Sequence, residues 1–236
     1  MDEPLAAPEQ PLTRQRASDA VDRLGWRYVL GVLCAHVPVA SLAQAVDAAA
    51  RVAGVAGADA DGHLWLDVRH DRLALHLQSR AAATVTARDV ELAGAISRTL
   101  ARAGLLTGPD VGAGPRPVQL IEIAIDALDI AAVRPFWRAV LGYTDGAEAT
   151  GPTDPLVDPL RQGPAIWFQQ MAAPRPQRNR IHFDISVPHD EAPGRIRAAL
   201  AAGGTLVSDR RAPAFWVLAD SEGNEACVTT WQGRDT

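Results

Sequence analysis

The sequence predicts two α+β domains in one chain. The first is an antiparallel sheet with helices on one face. The second is built from paired βαβββ units. Three observations carry this. The stretch GLLTGPDVGAGPRP, residues 104–117, is rich in Gly and Pro and has little periodicity, as a linker has. It parts the 236 residues into halves of similar size: 1–107 and 118–236, with 108–117 between them. The first half reads helix, strand, strand, helix, strand, strand, helix, and the second half repeats itself.

Thr13 is placed to cap a first helix running to about Leu24. GWRYVLG and VLCAHVPVA follow as two short strands. Ser41 caps LAQAVDAAARVAG, which Gly54 is placed to close. HLWLDVRH and RLALHLQS read as a hairpin around Asp71. Thr86, with Asp89 three residues later, opens the helix ARDVELAGAISRTLARAG, and Gly104 ends it.

In the second half, IEIAIDALDIAAVRPFWRAVLGY begins as a strand and continues as a helix. IHFDISVPHDEAPGRIRAALAAGG does the same about sixty residues later. DPLRQGPAIWFQQ ends the first copy and DSEGNEACVTTW the second. Neither unit buries its sheet alone, so the two pair. The strands alternate strictly, the mark of two unlike faces. Ile121, Ile123 and Ile125 oppose Glu122, Ala124 and Asp126. Ile181, Phe183, Ile185 and Val187 oppose His182, Asp184 and Ser186. Ile166 and Phe168 oppose Trp167 and Gln169, and Ala226 and Val228 oppose Glu225, Cys227 and Thr229. Helices pack on the apolar faces, so the mixed faces line a curved sheet. Superposed, Glu122 falls on His182.

Composition narrows the function classes. Hydrophobic residues make up 47% and charged residues 22%, as in a soluble globular protein. Net charge is -5, so no basic surplus invites nucleic acid or an anionic membrane. The chain has no lysine, which excludes lysine Schiff-base chemistry. The start, MDEPLAAPEQPLTRQR, lacks a basic segment followed by an apolar run, so no secretory signal is expected, and no apolar stretch spans a bilayer. Cys34 and Cys227 lie far apart with no CxxC pair, and a cytoplasmic protein is expected.

The paired units, FWRAVLGY (residues 136–143) and DSEGNEACV (residues 220–228) resemble the vicinal oxygen chelate superfamily, the glyoxalase and bleomycin-resistance fold, over residues 118–232. The resemblance implies an incomplete barrel around a ligand cavity, with His182 and Asp184 facing it. It also implies metal-ligand positions at Glu122, Trp167, His182 and Cys227, with Gln169 beside Trp167. An indole offers no metal lone pair. Glu, His and Cys together are chemically able to hold zinc, but the fourth ligand is missing. The expectation is a polar pocket without metal or other cofactor, contacted by Trp167, Gln169, Asp184, Glu225 and Cys227. His182 or Glu122 is the best candidate general base. Other readings stay open: His182 as a barrel histidine, Glu122 paired with Arg180, Cys227 as a small buried hydrophobe, Trp167 as core. SEGNE also reads simply as a hairpin turn. Arg175, Arg178, Arg180 and Arg210 form either a solvated rim or a steering field for an anion.

Residues 12–103 resemble pterin-4a-carbinolamine dehydratase, most closely at LGWRYV (residues 24–29) and TVTARDVELAGAI (residues 84–96). The resemblance implies removal of the 4a-hydroxyl of a reduced pterin by three histidines acting as general acids and bases. Two belong to a His-His-Pro segment, which falls here on Gly62-His63-Leu64. The third falls on Arg80. An arginine does not deprotonate at useful pH, so Arg80 is no base. His70 and His76 are close in sequence but out of register. Three readings follow: a retired scaffold, residual dehydratase chemistry through His63 and Asp89, or binding of another flat ring with Arg80 as a contact. Asp89 also serves as a helix N3 carboxylate.

The leading expectation is a small-molecule-binding or lyase-like protein with its pocket in the second domain. The alternatives are a 4a-hydroxytetrahydrobiopterin dehydratase with an accessory domain, and a non-catalytic interaction protein whose first half dimerises. The expected partners are a small-molecule ligand and further copies of the chain, with neither nucleic acid nor membrane.

Overall fold

A computed structural model describes residues 10–110, 118–146, 149, 151–174, 177 and 181–233. The chain forms two compact units, Met1–Leu120 and Ile121–Thr236. Among the described residues no helix is long and apolar enough to cross a membrane.

In the first unit, helix α1 (Arg14–Val21) starts at Thr13, whose side chain accepts from the Arg16 backbone N–H. A 3-10 turn carries the chain to Gly25. Strands β1 (Arg27–Val29) and β2 (Val32–Pro38) form a hairpin. Its two-residue turn, Leu30 and Gly31, has φ of 47° and 79°, the left-handed pair that matches strand twist. Ser41 caps α2 (Leu42–Ala56) by accepting from Gln44 N. The helix runs past Gly54, the expected stop, and ends at Gly57 with φ 58°. Gly54 is an exposed helical position where a Cβ would meet nothing, so nothing there forces termination.

The stretch before the second hairpin is helical rather than extended. A 3-10 turn leads into a four-residue helix, α3 (Ala60–His63), so His63 ends a helix instead of opening a strand. Strands β3 (Leu64–Val68) and β4 (Arg72–Leu77) then pair antiparallel. Helix α4 (Ala87–Arg102) opens with the expected capping box of Thr86 and Asp89. The sheet order is β1-β2-β4-β3. Helices α1, α2 and α4 cover one face and bury Trp26, Leu33, Leu75, Ile96 and Leu100. On the other face Cys34 is buried, which pushes its thiol up to about 12 and leaves it protonated at neutral pH. Gly108, at the start of the expected linker, bridges to His36 in both directions. Residues 111–117 of that linker lie outside the described residues.

The second unit carries the βαβββ repeat twice. The first copy is β5 (Glu122–Ala127), α5 (Ile130–Leu141), β6 (Thr144–Asp145), β7 (Leu156–Val157) and β8 (Ala165–Gln170). The second is β9 (Phe183–Ser186), α6 (Ala192–Ala201), β10 (Thr205–Arg211), β11 (Phe215–Ala219) and β12 (Glu225–Thr229). Each copy makes its own sheet, ordered β5-β8-β7-β6 and β10-β11-β12-β9. In both, the first and last strands run parallel. The copies share one core, in which Phe136 and Trp137 of α5 meet Ile166, Phe168, Ala199 and Val228. Arg134 of α5 is buried and reaches Asp145 Oδ1 at 2.6 Å and the Asp154 carbonyl at 2.7 Å. That guanidinium holds the Asp145 carboxyl below the usual range.

Candidate functional site

A cavity of about 570 Å³ lies between β5 and β9. Both are edge strands, because β5 pairs only with β8 and β9 only with β12. Four consecutive residues of β5, 123–126, line it, so the cavity meets that strand edge-on. Ile181 and Phe183 face it from the other side. Trp137 forms an aromatic wall, in edge-to-face contact with Phe183 at 5.5 Å between ring centroids.

The DSEGN turn closes one end and is held by its own acids. Asp220, buried, accepts from the backbone N–H groups of Glu222 and Asn224, from Asn224 Nδ2, and from Trp137 Nε1 at 2.9 Å. Glu222 reaches across to the first copy and accepts from Leu128 N at 2.8 Å and Asp129 N at 2.7 Å. The turn of one copy therefore caps the helix of the other, in a position that favours an anion. Glu222 and Asn224 also line the cavity, together with Asp126.

This geometry corrects the expected register. The cavity lies at the strand edges, and it is Phe183 and Ile181, not His182, that line it. His182 is exposed and precedes β9. Ile181, expected under a helix, is 72% exposed, and Ile121 is exposed too. Glu122 is exposed and pairs in register with Ala165, whereas Trp167 pairs with Ala124. Neither the Glu122 nor the His182 side chain makes a hydrogen bond or ion pair with another described residue. Trp167, Gln169 and Asp184 share the exposed polar faces. Glu225 is half-buried. Cys227 is buried opposite Asp184, and Thr229, also buried, shares a 2.8 Å hydrogen bond with Ser186. The polar face of β12 is thus largely closed to solvent. Arg175, Arg178 and Arg180 lie outside the described residues, and Arg210 is exposed on β10.

The residues at the implied metal positions do not form a ligand set. Trp167 has no lone pair to give, and Glu122 and Trp167 do not share a cross-strand pair. Among the described residues no three His, Cys, Asp or Glu side chains converge.

The first unit does bring expected residues together. His63 Nδ1 lies 2.8 Å from Asp89 Oδ1, and both side chains are buried. Asp89 Oδ2 accepts from Ser79 N, Thr86 N and Thr86 Oγ1. One carboxylate therefore starts α4 and orients an imidazole. As acceptor, Asp89 fixes the Nδ1–H tautomer and makes Nε2 the basic ring nitrogen. The Arg80 backbone N–H donates to the Gly62 carbonyl at 2.9 Å, which places Arg80 beside the dyad in the chain path. Its side chain is exposed.

Sequence reading missed the cavity walls. Phe183, Ile123 and Ile125 were legible only as a core-facing stripe, and Trp137 and Met171 carried no signal of their own. The DSEGN turn did carry one: an Asp just ahead of a Gly-Asn turn is a side chain that accepts from the turn's backbone N–H groups.

Residues 122–229 match the family described as glyoxalase-like domain, and residues 10–99 match pterin 4 alpha carbinolamine dehydratase. The chain matches no curated protein. Among solved structures it is similar to a glyoxalase/bleomycin resistance protein/dioxygenase family enzyme from Burkholderia phytofirmans PsJN, at 18% identity over 46% of this chain and 95% of that one, with a TM-score of 0.35. A glyoxalase-related enzyme from Fulvimarina pelagi is 16% identical over 48% of this chain and 87% of that one, with a TM-score of 0.38. A transcriptional coactivator/pterin dehydratase from Brucella Melitensis is 20% identical over 38% of this chain and 98% of that one, with a TM-score of 0.35. The chain joins a pterin 4 alpha carbinolamine dehydratase-like domain to a glyoxalase-like domain.

Proposed function

We propose that the protein binds a small organic molecule in the cavity between β5 and β9 of its glyoxalase-like domain. The cavity itself carries this reading. Its volume of about 570 Å³ falls in the range of small-molecule pockets, and its walls combine apolar and aromatic side chains (Ile123, Ile125, Trp137, Phe183) with nearly as much polar surface. The reading is one of binding rather than catalysis, because Glu122 and His182, the two candidate bases, neither pair with each other nor line the space. They belong with Trp167, Gln169 and Asp184 to the exposed face outside it.

The test is a fragment screen on the full chain by amide chemical-shift perturbation. Binders are expected to shift resonances of residues 123–126 and 221–224. Ile181→Trp places a large ring at an exposed cavity-lining position, so it should abolish those shifts while leaving the thermal midpoint within about 2 °C. Shifts confined to the exposed face around Glu122 and His182 would overturn this assignment.

A second reading is favoured by one contact. The buried His63–Asp89 pair is an oriented imidazole of the kind general acid–base catalysis uses. It is the basis for a residual pterin dehydratase reading of the first unit.

A further inference from the structure

We infer that the cavity takes a short extended peptide, held as an added strand by the main chain of β5; the inference rests on the cavity reading above. β5 pairs with β8 alone, and the pairing is parallel. In a parallel ladder one residue turns both its N–H and its C=O to the neighbouring strand, and the next residue turns both away. The Ala127 carbonyl accepts from Met171 N, just past β8, at 2.8 Å. Ala127, Ile125 and Ile123 therefore turn their backbone groups to β8, and Glu122, Ala124 and Asp126 turn theirs to the free edge. This is how Ala124 and Asp126 line the cavity although their side chains lie on the face opposite Ile123 and Ile125. The chain already fills one place in this outward row. Leu128, next in the alternation, gives its N–H to Glu222 Oε2 at 2.8 Å, and Glu222 lines the cavity too. Ala124 and Asp126 make no hydrogen bond toward the edge with any described residue.

Solvent serves such groups at an open strand edge. A purely apolar ligand seated against Ile125 and Phe183 strips that water and returns no hydrogen bond, at a cost for each group left unpaired. A peptide residue beside Ala124 returns both: its C=O accepts from the Ala124 N–H, and its N–H donates to the Ala124 C=O, as in a strand added to a sheet edge. Successive side chains of such a peptide point to opposite faces. One of them enters the space between Ile125, Trp137 and Phe183, which suits an aliphatic or aromatic group. Residues 123–126 run roughly 10 Å at about 3.3 Å per residue, the reach of about three peptide residues.

Three probes carry the same branched aliphatic group: N-acetyl-leucine N-methylamide, the same compound methylated on the leucine nitrogen, and 3-methylbutyl acetate. The second has no N–H to give to Ala124, and the third lacks the amide pair altogether. Each is titrated into the full chain, with binding read from amide shifts of residues 123–126 and from amide hydrogen exchange. The methylamide should bind about 3- to 10-fold more tightly than its methylated analogue, the range one amide hydrogen bond supplies. Without ligand, the Ala124 amide should exchange faster than those of Ile123 and Ile125. The methylamide should slow it, and the ester should not. Ala124→Pro removes the donor without removing a ladder bond, since proline is tolerated where its nitrogen faces a free edge. It should bring the methylamide down to the affinity of the ester, with Ile123 and Ile125 still protected. The methylated probe asks the same question without touching the fold. Equal affinity of the two amides, with shifts at residues 123–126, would overturn the strand-edge inference and leave the cavity reading standing. Slow exchange at Ala124 without ligand would do the same. If neither these probes nor any screened fragment shifts residues 123–126, both readings fall.

Discussion

At the residue scale, Gly62 and Arg80 decide what chemistry the first unit retains. Both stand where the dehydratase resemblance expects histidine. Gly62 is not held there by the backbone: its φ is not in the left-handed region, and a Cβ built on it meets no atom within 4 Å. The missing imidazole is therefore a chemical change and not a steric necessity. His63 keeps its orienting carboxylate, but one imidazole does not supply both the acid and the base that loss of a 4a-hydroxyl needs. Turnover of 4a-hydroxytetrahydropterin, followed by stopped-flow absorbance, should lie near the uncatalysed rate. The double variant Gly62→His with Arg80→His should raise it at least about tenfold, a small part of the 10²–10⁴-fold that acid–base groups contribute. His63→Ala in that background should remove the gain. Robust wild-type turnover that vanishes in His63→Ala would show that the dyad suffices.

At the scale of elements, local chemistry was legible at three helix starts, though the side-chain cap that Asp129 gives α5 was not. Thr13, Ser41 and the Thr86–Asp89 box all act as the sequence indicates. Short elements were not legible. The four residues of α3 are too few to show a helical period, so His63 read as the start of a strand. The cross-copy cap was hidden for another reason. Glu222 and the start of α5 are more than ninety positions apart, and no local pattern links them. That cap supports a specific expectation. Glu222→Gln replaces one acceptor oxygen with an NH₂ that faces a backbone N–H, and it removes the negative charge at the helix start. It should cost about 1 kcal/mol, read as a lower urea midpoint with an unchanged slope. No shift in the midpoint would mean that water satisfies Leu128 and Asp129 equally well.

At the scale of the whole molecule, alternation and repetition told the architecture but not the position of the cavity. Period-two patterning sorts side chains into faces. It is silent on which strands end a sheet and how far apart two free edges lie. The four-strand alternation therefore suggested a pocket on the polar faces, whereas the space opens between the edges of β5 and β9. Cys227 and Thr229 show the converse, being polar-face residues that are nonetheless buried. The described residues hold two separate hydrophobic cores. Trp26, Leu33, Leu75 and Ile96 cluster within the first unit, while Phe136, Trp137, Ile166 and Val228 cluster within the second, with no residue in common. A unit of roughly 100–120 residues buries enough surface to fold alone. Residues 121–236 expressed by themselves should give a dispersed amide spectrum and a single cooperative urea transition. Screened fragments that shift residues 123–126 in the full chain should bind residues 121–236 within about twofold as tightly, since every described cavity-lining residue lies in that unit. A collapsed spectrum would show that the first unit supplies stability the second lacks. A folded fragment that no longer binds would place part of the ligand site outside residues 121–236.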